Sequence, residues 1–260
     1  MVLLPAMVAG CTGTPIALLL PPPVHANGQV LWHIVNERCV PGQRVRNNPA
    51  PCAEVSITQG RSGHVVLKDI EGKSQYLVLP TSKITGIEDP QLLAPDAPNY
   101  FTPAWGARKL VANRLGKPLA RADVGIAVNS LYGRTQDQLH LHVDCLRSDV
   151  RVALRQAAPK VGYHWAHQTL MLGGFRYRAV RIDGDEAVAI DPFHLMARGL
   201  RVRQEDMGAW TLLLAGMDYP DGRPGFMLLA ARADPATGFN ASSGDLEDHA
   251  CGGVGVAEHR

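Results

Sequence analysis

Hydrophobic and polar positions change period several times along this chain, and the changes mark its elements. Residues 30–37 read as a short helix. Residues 65–67 and 75–79 are apolar runs joined by a polar turn at 68–73, which predicts a β-hairpin. Residues 100–115 place Phe101, Ala104, Trp105, Ala107, Leu110, Val111 and Leu115 close to the helical period. Residues 125–128 form a buried-type strand, 129–135 a glycine-containing turn, and 138–145 alternate polar and apolar strictly. Further on, 149–158 predicts a basic helix, 175–182 a strand and 191–197 a helix after an Asp-Pro pair. Residues 210–215 and 226–231 flank a Pro- and Gly-rich loop, a second hairpin expected to build a second sheet layer.

These elements predict one compact α+β domain over residues 27–232: an antiparallel sheet with flanking helices and a C-terminal elaboration. The tail, 233–260, has no periodicity and reads as loop or disordered end. Residues 1–26 carry no charged side chain apart from His25 and are rich in Leu, Val, Ala and Pro. Prolines and glycines interrupt the apolar stretches, which makes a poor spanning helix and a better export or anchoring segment. With 46% hydrophobic and 19% charged residues the remainder is ordinary globular sequence, and a net charge of +2 gives no reason to expect nucleic acid as a partner. Oligomeric state is not legible.

Cysteine usage agrees with export. Beyond Cys11 there are four, Cys39, Cys52, Cys145 and Cys251, an even number suited to an oxidising compartment. Cys39 and Cys52 enclose a segment with poor helix and strand propensity that a local bridge would stabilise, which leaves Cys145 with Cys251. Buried free thiols or a metal site are the alternatives, although no CxxC unit favours zinc.

The strand at 138–145 carries the candidate chemistry. Alternation puts Gln136, Gln138, His140, His142 and Asp144 on one face and Leu139, Leu141, Val143 and Cys145 on the other. Imidazoles two residues apart on a strand have Cβ atoms roughly 6 to 7 Å apart, close enough to address one phosphate. A neutral imidazole is a competent nucleophile near neutral pH. The same residues also fit solvated strand histidines, or a metal site of His140, His142 and Asp144.

The spacing Asn129, Gln136, His140, His142 resembles the signature strand of the histidine-triad superfamily, with Asp144 where the last histidine would stand. The hairpin VVLKDIEGKSQYLVLP resembles that superfamily's ribose-binding hairpin, with Asp69 and the following apolar Ile70 in the ribose-binding position. More narrowly, NNPAPCAEV, VVLKD, PNYFTPAW, AVNS and GRTQDQLHLHVDCLRSDVR resemble the bacterial CDP-diacylglycerol pyrophosphatase family across about residues 30–200.

That resemblance implies a histidine-triad-like fold and hydrolysis of CDP-diacylglycerol to CMP and phosphatidic acid through a nucleotidyl-histidine, without a cofactor. It implies His142 as nucleophile, His140 and Gln136 as holders of nonbridging oxygens, Asn129 at the phosphate or its loop, and Asp69 at the ribose. Asp144 is an acceptor in place of a donor, which leaves its role open. A competing register makes Gln138, His140 and His142 the triad. Arg134, Arg147, Arg151 and Arg155 suit a pyrophosphate and an anionic membrane surface, or simply a solvated helix face. Trp32, Trp105 and Trp165 suit a lipid access path or the core. The implied location is the periplasmic side of the inner membrane. Three rivals stand beside this reading: a hydrolase or transferase of soluble nucleotides on the same fold, a metal-dependent hydrolase, and a non-catalytic nucleotide or lipid binder.

Overall fold

The computed structural model describes residues 25–57 and 62–254. The export or anchoring segment therefore lies, apart from its last two residues, outside the described residues.

The described chain forms an α+β fold around one antiparallel sheet. Its strands are β1 (Glu54–Ser56), β2 (His64–Lys68), β3 (Tyr76–Pro80), β4 (Val124–Val128), β5 (Leu141–Cys145), β6 (Leu170–Leu172), β7 (Phe175–Asp183), β8 (Trp210–Asp218) and β9 (Pro224–Arg232). They pair in the order β1-β2-β3-β5-β4-β8-β9-β7-β6. The later hairpin does not start a second sheet layer. Strand β8 pairs directly with β4, Ile126 opposite Leu214, so the two halves fuse edge to edge. Both strands are apolar on both faces, as a strand buried in the middle of a covered sheet must be.

Helices cover the sheet unequally. On one face lie α3 (Phe101–Leu115) and α5 (Pro192–Gly199). Phe101, Trp105 and Val111 of α3, with Phe193 and Met196 of α5, share a core with Val78, Ile126, Val143, Leu214 and Leu228. The opposite face has two separate covers. One is α4 (Ser148–Ala157), whose Val150, Leu154 and Ala157 pack with Ala127, Leu213 and Leu229. The other is the N-terminal segment, formed by α1 (Val30–His33), a π-helical stretch (Ile34–Cys39) and α2 (Val40–Arg46), which packs on Val65, Leu67, Leu77 and Leu79. Strand β5 lies between the sheet regions these covers occupy, and its polar residues face the gap.

Two local expectations change. The span between Cys39 and Cys52 is helical over Val40–Arg46, where a loop was expected. Pro41 follows directly on the π-helical stretch, and Asn47 closes the helix in the left-handed conformation at φ 49°. The tail has little regular structure but is anchored. The N–H of Asp248 donates to the Cys145 carbonyl at 2.8 Å, and Glu247 bridges Leu146. Arg151, paired with Asp123, donates to the Gly253 carbonyl at 2.6 Å.

Both expected disulfides are formed, Cys39–Cys52 and Cys145–Cys251. Trp105 is fully buried and Trp165 nearly so, both in the main core. Among the described residues no helix is long and apolar enough to cross a membrane.

Candidate active site

The register of the sheet assembles the site row by row. His142 of β5 pairs with Leu77 of β3 on one side and Ala127 of β4 on the other. One step along, Asp144 pairs with Gly125, and continuing the β3 and β2 registers sets Gln75 beside Asp144 and Asp69 beside Gln75. The N–H of Asp69 donates to the Gln75 carbonyl at 3.2 Å, as that register requires. Counting the other way from Ala127, Asn129 comes opposite His140. Alternation turns His140, His142, Asp144, Gln75 and Asn129 to one face of the sheet.

The ladder begins at Leu141, so the regular strand is shorter than the alternating pattern predicts. The preceding residues are drawn off by another partner, the chain around Pro80–Ile84. The N–H of Leu139 donates to the Ile84 carbonyl, and the buried Gln138 amide donates to the carbonyls of Pro80 and Ser82.

Two imidazoles stand edge to face with centroids 4.8 Å apart, those of His140 and His142. His140 Nδ1 is 2.7 Å from the carbonyl of Gln138. Since a carbonyl only accepts, the His140 proton sits on Nδ1 and its Nε2 is a free lone pair. His142 Nδ1 is 2.9 Å from Gln75 Nε2 and 4.0 Å from Asp69 Oδ2, while its buried Nε2 has no hydrogen-bond partner among the described residues. Burial lowers the pKa of both rings, and for His142, which His140 and His249 also oppose, it falls well below the ordinary imidazole value. Both rings are therefore neutral near pH 7, the state in which a lone pair can attack.

Three side chains here were not singled out from the sequence. Gln75 touches His142 and, at 3.5 Å, Glu247. Glu247 is buried, and burial with the nearby Asp144 and Asp69 raises its pKa well above the ordinary carboxyl value. His249 places Nδ1 2.9 Å from Oδ2 of the fully buried Asp144. Glu247 and His249 come from the tail, where periodicity offers no signal. The signal available was the Cys145–Cys251 bridge, which brings residue 249 back beside residue 144.

The remaining sequence-predicted residues are engaged as follows. Gln136 accepts from the N–H of Leu31 at 3.1 Å and donates to the Asn27 carbonyl at 3.0 Å, which ties the N-terminal cover to the segment leading into β5. Asn129 accepts from the N–H of Gly244 at 3.1 Å and so holds the tail loop. Arg134 is buried and paired with Glu88 and Asp137. Arg147 pairs with Asp149 and donates to the Asp245 carbonyl. Ile70 is 95% exposed at the hairpin tip beside Asp69.

The metal alternative finds little support in the donor set. The group within reach of one ion among the described residues is Asp144 with Cys145 and Cys251. The two sulfurs are bonded to each other, so neither is a thiolate, and the Asp144 oxygens face Ser74 and His249.

Similarity to known proteins agrees with this geometry. The family model for CDP-diacylglycerol pyrophosphatase matches residues 26–254, which takes in the tail that carries Glu247 and His249. The CDP-diacylglycerol pyrophosphatase of Yersinia pestis is 40% identical over 226 residues, 87% of this chain and 85% of that protein. With a match over nearly the whole described chain and two neutral histidines set together at the head of a central strand, the chain belongs to the CDP-diacylglycerol pyrophosphatase family, whose activity is hydrolysis of the diphosphate bond of CDP-diacylglycerol.

Proposed function

We propose that the chain cleaves CDP-diacylglycerol by double displacement on a histidine-triad-like scaffold, with His142 as the nucleophile. The observation that carries this reading is the unpartnered, buried Nε2 of a neutral His142, packed against a second neutral imidazole. In the first step His142 Nε2 forms a bond to the phosphorus of the cytidylyl group and phosphatidic acid leaves. In the second, water attacks the same phosphorus, CMP leaves and the imidazole is restored. Splitting the hydrolysis into two in-line displacements, with nucleophile and phosphates held in place, is what such a site contributes. Asp69, beside His142, suits the ribose hydroxyls, with Ile70 next to it at the exposed tip. His140 would hold the nonbridging oxygens with Nε2 also protonated, the imidazolium form that a bound diphosphate favours.

One specific observation favours a second reading, in which His140 attacks and His142 orients. The contact of His140 Nδ1 with the Gln138 carbonyl already fixes the tautomer that leaves Nε2 free. The spacing of Asn129 and Gln136 supports His142.

The proposed setting is the outer face of the inner membrane, with the catalytic domain in the periplasm against the membrane surface. Two formed disulfides support an oxidising compartment, and the apolar segment at 1–26 supports export or anchoring. Incubation of the purified protein with CDP-diacylglycerol in the presence of chelator, followed by product analysis, tests the reading. CMP and phosphatidic acid in equal amounts are expected. Loss of turnover in chelator would assign the chemistry to a metal, and binding of CMP without turnover would make the chain a binder.

A further inference from the structure

Strand β5 offers a carboxylate, Asp144, at the position two residues beyond His142, and the tail brings an imidazole to that carboxylate. His249 Nδ1 lies 2.9 Å from Asp144 Oδ2. Asp144 is fully buried, its other oxygen faces Ser74 Oγ at 3.4 Å, and His249 is about half exposed. The pair is held from three directions. The Cys145–Cys251 bond closes the chain one residue after Asp144 and two after His249. The N–H of Asp248 donates to the Cys145 carbonyl, and the N–H of Lys73 from the β2–β3 hairpin donates to the His249 carbonyl at 2.9 Å.

An acid that only accepts, bonded to Nδ1, fixes the proton of His249 on that nitrogen and turns Nε2 outward. Buried carboxylate, oriented imidazole and a neighbouring nucleophile form the arrangement in which the imidazole moves a proton while the carboxylate stabilises its charged form. His142 lies one strand repeat away on the same face, roughly 6 to 7 Å between Cβ positions of residues i and i+2.

We propose that His249, positioned by Asp144, is the proton donor to the departing phosphatidate oxygen and the base that activates water in the second step. This rests on the nucleotidyl-histidine reading above. As His142 Nε2 bonds to the cytidylyl phosphorus, the bond from phosphorus to the bridging oxygen breaks, its electron pair stays on phosphatidate, and that oxygen takes the Nε2 proton of the His249 imidazolium. Water then enters from the side that phosphatidate vacated. His249 Nε2 takes one of its protons, the oxygen bonds to phosphorus, and the N–P bond breaks with its electron pair returning to His142. The remaining proton stays on CMP, and His249 is again the imidazolium. The hydrogen bond to Asp144 favours that protonated form, with Asp69 and Asp248 adding to it and partial burial opposing it.

The test is the full-length His249→Ala protein, with non-reducing peptide mapping to show that Cys145–Cys251 is intact. Loss of a positioned proton carrier predicts a fall in kcat of about 10²-fold with KM nearly unchanged. Because His249 is half exposed, added imidazole should restore kcat in proportion to its concentration, and labelled cytidylyl adduct should still form, slowly, on His142. A kcat within about threefold of the unsubstituted protein, or a fall that imidazole does not relieve, would overturn the proposal. If the alanine protein does not hold its disulfide, His249→Gln and Asp144→Asn carry the same test. Each should lower the rate of adduct formation, and an unchanged rate in both would overturn the proposal. Absence of any histidine adduct in the unsubstituted protein would instead remove the reading beneath it.

Discussion

Gln75, just ahead of β3 and in register with Asp144, places its side-chain amide 2.9 Å from Nδ1 of His142. The contact decides which nitrogen of the proposed nucleophile is free. Attack through Nε2 needs the proton on Nδ1, and therefore an acceptor there. A half-turn of the Gln75 amide presents Oε1 at that point, 3.5 Å from Glu247 Oε2, whose raised pKa favours the protonated form that could donate to the same oxygen. With the amide as it stands, its Nε2 facing Nδ1, the proton is on Nε2, so attack by His142 requires this half-turn.

The first prediction follows from that choice. Nitrogen NMR of the free enzyme should show His142 with an unprotonated Nε2, and Gln75→Ala should lower kcat by roughly 10- to 100-fold, the usual cost of losing an orienting partner. A protonated Nε2 in the resting enzyme would contradict the arrangement.

A second prediction concerns pH. Burial holds the pKa of both His140 and His142 below the ordinary imidazole value of 6.5. The proposed nucleophile, His142, therefore stays neutral below pH 6.5, and the acid limb of kcat/KM should fall below that value. Stability carries the same sign. The unfolded chain binds protons at these rings near pH 6.5 while the native protein does not, so their contribution is complete above 6.5 and is lost as pH falls toward the native pKa values. Denaturant titrations and rate profiles over this range check both statements, and an acid limb at or above 6.5 would contradict them.

The two disulfides should separate in their effects. Cys145 and Cys251 are 106 residues apart, a closure that in the chain-entropy model stabilises by about 4 to 5 kcal/mol, against about 3 for Cys39 and Cys52 at a separation of 13. Cys251→Ser should lower the melting temperature and also kcat, because the segment carrying Glu247 and His249 loses its anchor. Cys39→Ser should lower the melting temperature with the smaller effect on kcat, since that bond lies within the N-terminal cover, joining the π-helical stretch to the chain after α2. Equal losses of kcat would show that the tail has no special part in the site.

The sequence pattern reached the site unevenly, for physical reasons. Helix α3 and the β2–β3 hairpin follow from apolar period and a polar turn, and the alternation through His140 to Cys145 marks the strand that bears the imidazoles. That alternation runs on through Gln138, but the Gln138 amide is bound by the carbonyls of Pro80 and Ser82, a tertiary competitor that no local pattern reports. Helix α2 was hidden because Pro41 and Gly42 lower helix propensity, while its stability comes from packing and the enclosing disulfide. One sheet replaces two layers because β8 finds its partner in β4, a pairing across more than 80 residues that hydrophobicity cannot specify. Glu247 and His249 were illegible for the same kind of reason: short-range pattern carries no record of a segment positioned by a disulfide.

The most direct test is the location of the covalent nucleotide. Mixing enzyme with CDP-diacylglycerol labelled in the cytidylyl phosphate, quenching with base and mapping the labelled peptide should place the label on His142. His142→Ala should then abolish turnover, while His140→Ala leaves a slow residue because orientation is lost but attack is not. Label on His140 would transfer the nucleophile to its neighbour, and a His142→Ala protein with full activity would contradict the central claim that this strand carries the reaction.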